Sequence, residues 1–580
     1  MVGMARTQRR RGVLVLLLVI AALAGSAARV AHINTRLAPK LTALASAQQA
    51  ARDLVPARRG HIFDARGRLV AGSEMMPTVF VDPRQVARTP DVAAEMGRIL
   101  GLPAEQIERL IQDGSGRAYR LIKRDVAPAE AAAIRELRLP GVGLADAPCR
   151  RYPLGEAMSQ TLGFVSPHGE GLEGIESAYD AFLRGEDGER VTLRDARRRI
   201  ICDQEGQTVH PRDGGHVVLT LDAVIQALAE RELRAAVLAV EAEFGMTVVM
   251  APETGEVLAL ASFPTFDPAD YTAAKPENRR NRPITDAFEP GSVFKPFIMA
   301  GALQQGVVRT SESFYCHDGA HYFGQRLIHD TKPSGTLTLE GILARSSNIG
   351  MGFIGIRVGN PGLHSILTRF GFGAATHVGF PGESPGYVVP LRDWNSYSTT
   401  SVPMGHETMV SALQLATAMC ALANDGVRLR PRLVKALLRP DGSVLESFDQ
   451  PEVVGRAVPE GVARWMVQHG LRAVVTPAAQ TDALLADYRI VGKTGTAQVP
   501  YKHRRGYEPN AYLSSFMGCA PYDDPKVVVL VMIHKPNPSL GYYGRVVSLP
   551  AARNILVGAL GYLQIPMASD DHAATMVVRD

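Results

Sequence analysis

Along the chain the spacing of hydrophobic and polar positions changes character several times. Four arginines, Arg6, Arg9, Arg10 and Arg11, precede an uncharged apolar run over 12–28, close to the lower length limit for a helix that spans a membrane. An Ala- and Leu-rich stretch from 32 to about 52 continues it as a helical stalk. Residues 59–70 read as a short strand, a turn at Arg66-Gly67 and a second strand. Amphipathic helical spacing follows over 94–112 and 128–137. Residues 217–222 are β-rich and lead into a helical pattern over 223–242. Two apolar runs then flank the turn Ala251-Pro252-Glu253-Thr254-Gly255, and a matching hairpin lies around Asp523-Asp524-Pro525. The stretch between the hairpins is mostly helical, including 408–423, which stops at Asn424-Asp425-Gly426. Strands at both ends of a helical middle predict an α+β fold with one antiparallel sheet covered by helices.

The arginines ahead of the apolar run place the N-terminus in the cytoplasm and everything after about residue 31 outside it. A cleaved signal peptide is the competing reading, because small residues surround positions 24–28. An uncleaved anchor is preferred: the run exceeds a typical signal core and no lipidation cysteine follows it. At 580 residues the chain has room for two or more domains. Apolar residues at 46% and charged residues at 21% exclude the disordered and collagen-like classes. A net charge of +5 leaves no nucleic-acid footprint. Cys149, Cys202, Cys316, Cys420 and Cys519 lack paired spacing and read as buried free thiols, with a Cys149 to Cys202 bridge as the alternative.

Three short patterns carry the chemistry: Ser292-Val293-Phe294-Lys295, Ser346-Ser347-Asn348 and Lys493-Thr494-Gly495-Thr496. Each is weak alone, but each occurs once, and they fall in the order that serine-lysine acyl transferases require. Ser292 follows Glu289-Pro290-Gly291 and opens an apolar helical run, where free N–H groups and the helix dipole stabilise negative charge on an attacked carbonyl. Lys295 returns to the same helix face and serves as base if neutral, a state favoured by burial and a nearby cation such as Lys493. Ser346 can pass a proton and Asn348 can hold an amide; the bland reading of that triplet is a helix cap. Lys493 supplies positive charge, Thr494 and Thr496 offer hydroxyls to a carboxylate, and Gly495 lets a ligand backbone approach an extended segment. Cys316, His317, His321 and His329 cluster in sequence, but their spacing fits no standard zinc site, and no metal is expected.

With these motifs the chain resembles the class B penicillin-binding proteins, the monofunctional peptidoglycan transpeptidases of septal type. The segments Arg59-Gly60-His61-Ile62-Phe63-Asp64, Arg151-Tyr152-Pro153, Gly171-Leu172-Glu173-Gly174-Ile175-Glu176 and Leu219-Thr220-Leu221-Asp222 resemble the family's pedestal and junction motifs. The resemblance implies a cytoplasmic stub over 1–11, an anchor over 12–31, a stem and pedestal of dimerisation type over 32–215, and a tail over 563–580. Between them it implies a transpeptidase domain over 216–562, built on a five-stranded antiparallel sheet flanked by helices. It further implies an oxyanion hole from the Ser292 and Thr496 N–H groups, no cofactor, and acylation by β-lactams. The implied partners are peptidoglycan stem peptides, lipid-linked precursor, a membrane glycan polymerase and other division proteins, in the inner membrane facing the periplasm. Two positions depart from the family pattern: Tyr543-Gly544-Arg545 stands where paired glycines are usual, and Gly405-His406-Glu407 where Gly-x-Gly is common. The rival functions are a β-lactamase or carboxypeptidase, against which the pedestal argues, and a non-catalytic scaffold, against which the intact triad argues.

Overall fold

The computed structural model describes residues 2–42, 50–86, 90–114, 119–194, 200–203, 208–501, 504 and 506–568. The chain forms two compact units, one from Met1–Ala57 with Gly185–Asp213 and one from Arg58–Arg184 with Gly214–Asp580. In the first, the helix Val2–His32 runs through a π-helical turn, Ile33–Leu37, and ends at Thr42. Among the described residues it is the one helix long and apolar enough to cross a membrane. The helical stalk expected to about residue 52 is cut short. Residues 43–49 lie outside the described residues, and Ala50–Val55 is a strand paired antiparallel with Gly188–Arg194, which also pairs with Ile200–Asp203. A six-pair ladder from Ala50 opposite Leu193 to Val55 opposite Gly188 overrides the weak helical preference of the composition.

In the second unit the hairpin of Ile62–Phe63 and Leu69–Val81 forms as its alternation predicts. The helix expected over 94–112 is two, Pro90–Leu100 and Ala104–Asp113, because Gly101 takes φ +66° and Pro103 stays extended. The loops rich in glycine and paired charges interlock around Glu176, whose side chain is fully buried. Arg59 Nε donates to one carboxylate oxygen at 2.7 Å and Arg150 Nε to the other at 2.6 Å. Two guanidinium partners satisfy a buried charge that would otherwise be strongly destabilising.

The sheet that matters for chemistry has five strands, all antiparallel, in the spatial order Val257–Phe263, Phe244–Met250, Val527–His534, Tyr507–Ala520, Val491–Pro500. Its central strand Val527–His534 is buried throughout. Val528, Leu530 and Met532 turn to one core, and Val527, Val529, Val531 and Ile533 to the other. That explains an unbroken apolar run where a half-exposed strand would alternate. Ala223–Ala239 and Gly544–Tyr562 cover one face, and Ala412–Ala423 the other. The helix expected from 408 begins instead at Ala412. Thr408–Ser411 is a strand, and Ser411 caps the helix in a capping box with Gln414.

The strand His216–Leu219 is not part of this sheet. It lies in a seven-stranded one, parallel to Ile62–Phe63 and antiparallel to Val434–Leu438. The pedestal is also fastened to the five-stranded region by side chains: Gln160 Nε2 donates to the carbonyls of Pro264 and Asn278, at 3.2 and 3.0 Å.

Candidate active site

Ser292 sits in a 3-10 turn, Gly291–Phe294, and the α-helix proper starts at Lys295. The sequence pattern predicts the helix start at the serine. The difference has a plain cause: Pro296 has no N–H to give to an α-helical bond, so the preceding turn closes by the tighter Lys295 N–H to Ser292 carbonyl contact. Val293 and Phe294 on that turn are fully buried, and Phe294 packs on Phe297 and Phe372. Ser292 itself is half-buried.

Lys295 is completely buried. Its Nζ donates to the Ser346 carbonyl at 2.6 Å and to Asn348 Oδ1 at 2.8 Å, and lies 3.2 Å from Ser346 Oγ. Lys493, 1% exposed, donates from Nζ to Ser346 Oγ at 3.1 Å and to the Thr494 carbonyl at 2.9 Å. One hydroxyl therefore touches both lysine nitrogens. Burial, then the charge of Lys493, push the Lys295 amine well below the ordinary lysine range, against the opposing pull of Asp330. Burial lowers Lys493 to about 7. Two ammonium groups sharing one acceptor out of contact with water cannot both stay protonated at neutral pH.

Ser346 is held in the left-handed conformation, φ +56°, between the helices Leu339–Arg345 and Asn348–Phe370. The bland capping role expected of this triplet is real, but it belongs to Ser347, whose Oγ accepts from the Gly350 N–H at 2.9 Å. Ser346 and Asn348 are thereby left for the cleft. Asn348 has its orientation set at both ends, with Oδ1 on Lys295 and Nδ2 donating to the His329 carbonyl at 2.9 Å.

Asp330 was not singled out in the sequence. Its carboxylate accepts from the Asn348 and Ile349 N–H groups, at 2.5 and 3.0 Å, and from Ser347 Oγ at 2.5 Å. It caps the helix that carries Asn348 from 18 residues away. No spacing rule finds such a partner, because a hairpin, Ala320–Phe323 with Arg326–His329, delivers it.

Lys493, Thr494, Gly495 and Thr496 lie on Val491–Pro500, the edge strand of the five-stranded sheet. The Thr494 carbonyl is engaged by Lys493 Nζ, so it faces away from the neighbouring strand. By the two-residue alternation of a strand, the Thr496 N–H faces the same open side. Thr496 Oγ1 accepts from the Gly544 N–H at 3.2 Å and keeps its own proton to donate. Gly495 is also closely packed by the chain itself. A Cβ there would stand 2.4 Å from Ser515 Oγ on the neighbouring strand and 3.0 Å from a Val293 methyl on the turn bearing Ser292. The single glycine at 544 is similarly tight: a Cβ would lie 2.4 Å from the Ser515 carbonyl oxygen and 2.5 Å from that of Gly495.

The Cys316 region holds no metal arrangement. Among the described residues no three His, Cys, Asp or Glu side chains are grouped to bind an ion. Cys316 is buried with its Sγ 3.5 Å from Ser347 Oγ, while His317 and His321 stack ring on ring at 4.0 Å. All five cysteines are free; Cys316, Cys420 and Cys519 are buried, but Cys149 is half-buried and Cys202 exposed, so two depart from the buried expectation.

A serine on a tight turn, two buried lysines joined by a second serine, and an open sheet edge define the serine-lysine acyl transferase class. The penicillin binding protein transpeptidase domain family matches residues 245–557, and the penicillin-binding protein dimerisation domain family matches 54–219. The chain belongs to the penicillin-binding proteins, as a class B member. Among its relatives, the probable peptidoglycan D,D-transpeptidase PbpC of Pseudomonas aeruginosa is 34% identical over 518 residues, which is 89% of this chain and 88% of that one. The peptidoglycan D,D-transpeptidase FtsI of Escherichia coli is 32% identical over 520 residues, 88% of this chain and 84% of that one. Penicillin binding protein 3 of Mycobacterium tuberculosis, solved in complex with aztreonam, superposes with a TM-score of 0.69 at 27% identity, covering 89% of this chain and 98% of that one.

Proposed function

We propose that this chain is a peptidoglycan D,D-transpeptidase that cross-links stem peptides during cell division through an acyl-enzyme on Ser292. The observation that carries this is the hydroxyl of Ser346, within 3.2 Å of both buried lysine nitrogens beside the serine turn. With Lys295 neutral, its two N–H bonds go to the Ser346 carbonyl and Asn348 Oδ1, and one lone pair remains to take a proton. Lys295 accepts the Ser292 proton as Oγ attacks the carbonyl between the terminal D-alanines. The N–H groups of Ser292 and Thr496 stabilise the oxyanion. The proton passes through Ser346 to the leaving amine, D-alanine departs, and the acceptor amine of a second stem peptide then attacks the ester. Lys493 and the hydroxyls of Thr494 and Thr496 hold the donor's terminal carboxylate. A β-lactam enters by the same first step and stays, as expected of a relative of a protein that binds aztreonam.

The reading extends to the whole chain. Residues 1–11 stay in the cytoplasm, 12–31 anchor, 32–215 form stem and pedestal, 216–562 catalyse, and 563–580 form a tail whose residues 569–580 lie outside the described residues. A membrane-embedded glycan polymerase and division proteins are the proposed partners, and lipid-linked precursor supplies the strands. The test is to incubate the full chain in detergent with a labelled penicillin and map the adduct by mass spectrometry. A long-lived adduct on Ser292, absent from Ser292→Ala, supports the transpeptidase. Fast release of hydrolysed drug would turn the assignment to a hydrolase, and absence of any adduct to a scaffold.

A further inference from the structure

Three residues before Ser292, the carboxylate of Glu289 is a meeting point for two segments far away in sequence. One oxygen accepts from the Tyr507 hydroxyl at 3.0 Å and lies 3.0 Å from His406 Nδ1, and the other accepts from the Glu407 N–H at 3.1 Å. Tyr507 and His406 also approach each other, at 3.1 Å. The carboxylate side chain is only 14% exposed. Burial alone would raise its pKa; the His406 hydrogen bond and charge, with the hydrogen bonds from the Glu407 N–H and the Tyr507 hydroxyl, outweigh this and hold it below the ordinary value.

Next to this contact the two backbones close on each other. The Gly291 N–H donates to the Gly405 carbonyl at 3.2 Å. Gly405 takes φ +84°, and a Cβ on it would stand 2.2 Å from the Gly291 carbonyl oxygen. The turn carrying the serine is thus gripped from two sides. Val293 and Phe294 bury into the core on the downstream side. Upstream, Gly291 has no side chain to anchor; Pro290 is buried, Phe288 pairs with Val410, and Glu289 supplies the side-chain hydrogen bonds that tie the segment to its surroundings.

We infer that Glu289 is a positioning residue for Ser292: by joining the turn to His406, Glu407 and Tyr507, it sets where the serine hydroxyl stands relative to Lys295. This rests on Ser292 being the nucleophile. Three contacts hold the carboxylate in the cluster, so Glu289 acts on Ser292 through the backbone of Pro290 and Gly291. It also gives a use to His406, whose Nδ1 lies 3.0 Å from the carboxylate.

The experiment is stopped-flow acylation of the full chain in detergent by a penicillin, which separates the dissociation constant of the initial complex from the first-order acylation constant. Glu289→Gln keeps size but turns an N–H2 toward the Tyr507 and His406 donors. Its acylation constant should fall about 100-fold, the effect of an ångström-scale misplacement, with the dissociation constant unchanged. Tyr507→Phe, which removes one donor and keeps the ring, should lose about tenfold. The double variant should be no slower than Glu289→Gln alone. A merely structural role would reduce the folded fraction and leave the acylation constant of the folded protein intact, so thermal unfolding is recorded alongside. Wild-type acylation constants in both variants would overturn the inference, as would a change confined to the dissociation constant. If Glu289→Gln does not fold, Tyr507→Phe decides alone. An adduct on a residue other than Ser292 in the wild type would remove the premise, and is read separately.

Discussion

The two buried lysines set a measurable opposition between stability and activity, and Lys493 is the one to perturb. Its folded pKa of about 7 stands against an ordinary 10.5, with burial as the cause. At about 1.4 kcal/mol per pH unit, the gap amounts to about 5 kcal/mol of penalty on the charged form. Between pH 10.5 and 7 the unfolded chain holds a proton on this residue that the folded chain has released, so unfolding free energy rises with pH across that window. The contribution is complete above the unfolded value, is lost as pH falls through the folded value, and is flat below it. Lys493→Met should remove this slope. At pH 7 the variant should be more stable than wild type by about 3 kcal/mol, after deducting about 1 kcal/mol for each hydrogen bond lost to Ser346 and Thr494. It should not be acylated. Lys295 pushes in the same direction, and its own depression is partly due to Lys493, so the substitution relaxes both. The assay is guanidinium unfolding of wild type and variant at pH 7, 8 and 9. Equal slopes in the two proteins, or a less stable variant, would refute the reasoning.

Two other perturbations read neighbouring parts of the site. Asp330→Asn removes the carboxylate that caps the Asn348 helix, and should cost about 1–2 kcal/mol in unfolding free energy. It also deletes the charge that opposes the lowering of the Lys295 amine, so the limb of the acylation–pH profile set by that amine should move further to lower pH; a profile superimposable on wild type would count against the assignment. Gly544→Ala must push the helix Gly544–Tyr562 away from the edge strand, because backbone oxygens at 2.4 and 2.5 Å occupy the new methyl's space. A loss of about 1–3 kcal/mol with slowed acylation is expected, and an unaffected thermal midpoint would contradict it.

Much of this architecture is legible in the sequence. The apolar runs flanking two turns predict one antiparallel sheet covered by helices, and the family resemblance carried by Ser292, Ser346 and Lys493 implies its five strands. What escaped was whatever depends on contacts between remote segments. Asp330, at the end of a hairpin, reaches Asn348 from 18 residues away, and Glu289 meets Tyr507 across 218 residues. Local chemistry also misled in one small way: Pro296 delays the helix after Ser292.

The seven-stranded sheet has a consequence for how such a protein can be cut or recombined. His216–Leu219, inside the region matched by the dimerisation family, is sandwiched between Ile62–Phe63 and Val434–Leu438, the latter inside the transpeptidase match. A fragment beginning at residue 245 would leave Val434–Leu438 with an unpaired edge, the kind of surface that recruits other strands. Exchange of catalytic halves between relatives should therefore succeed only when this one strand travels with the half it supports. Heredity would then treat pedestal and catalyst as a single inherited object, even though two family descriptions are needed to cover them.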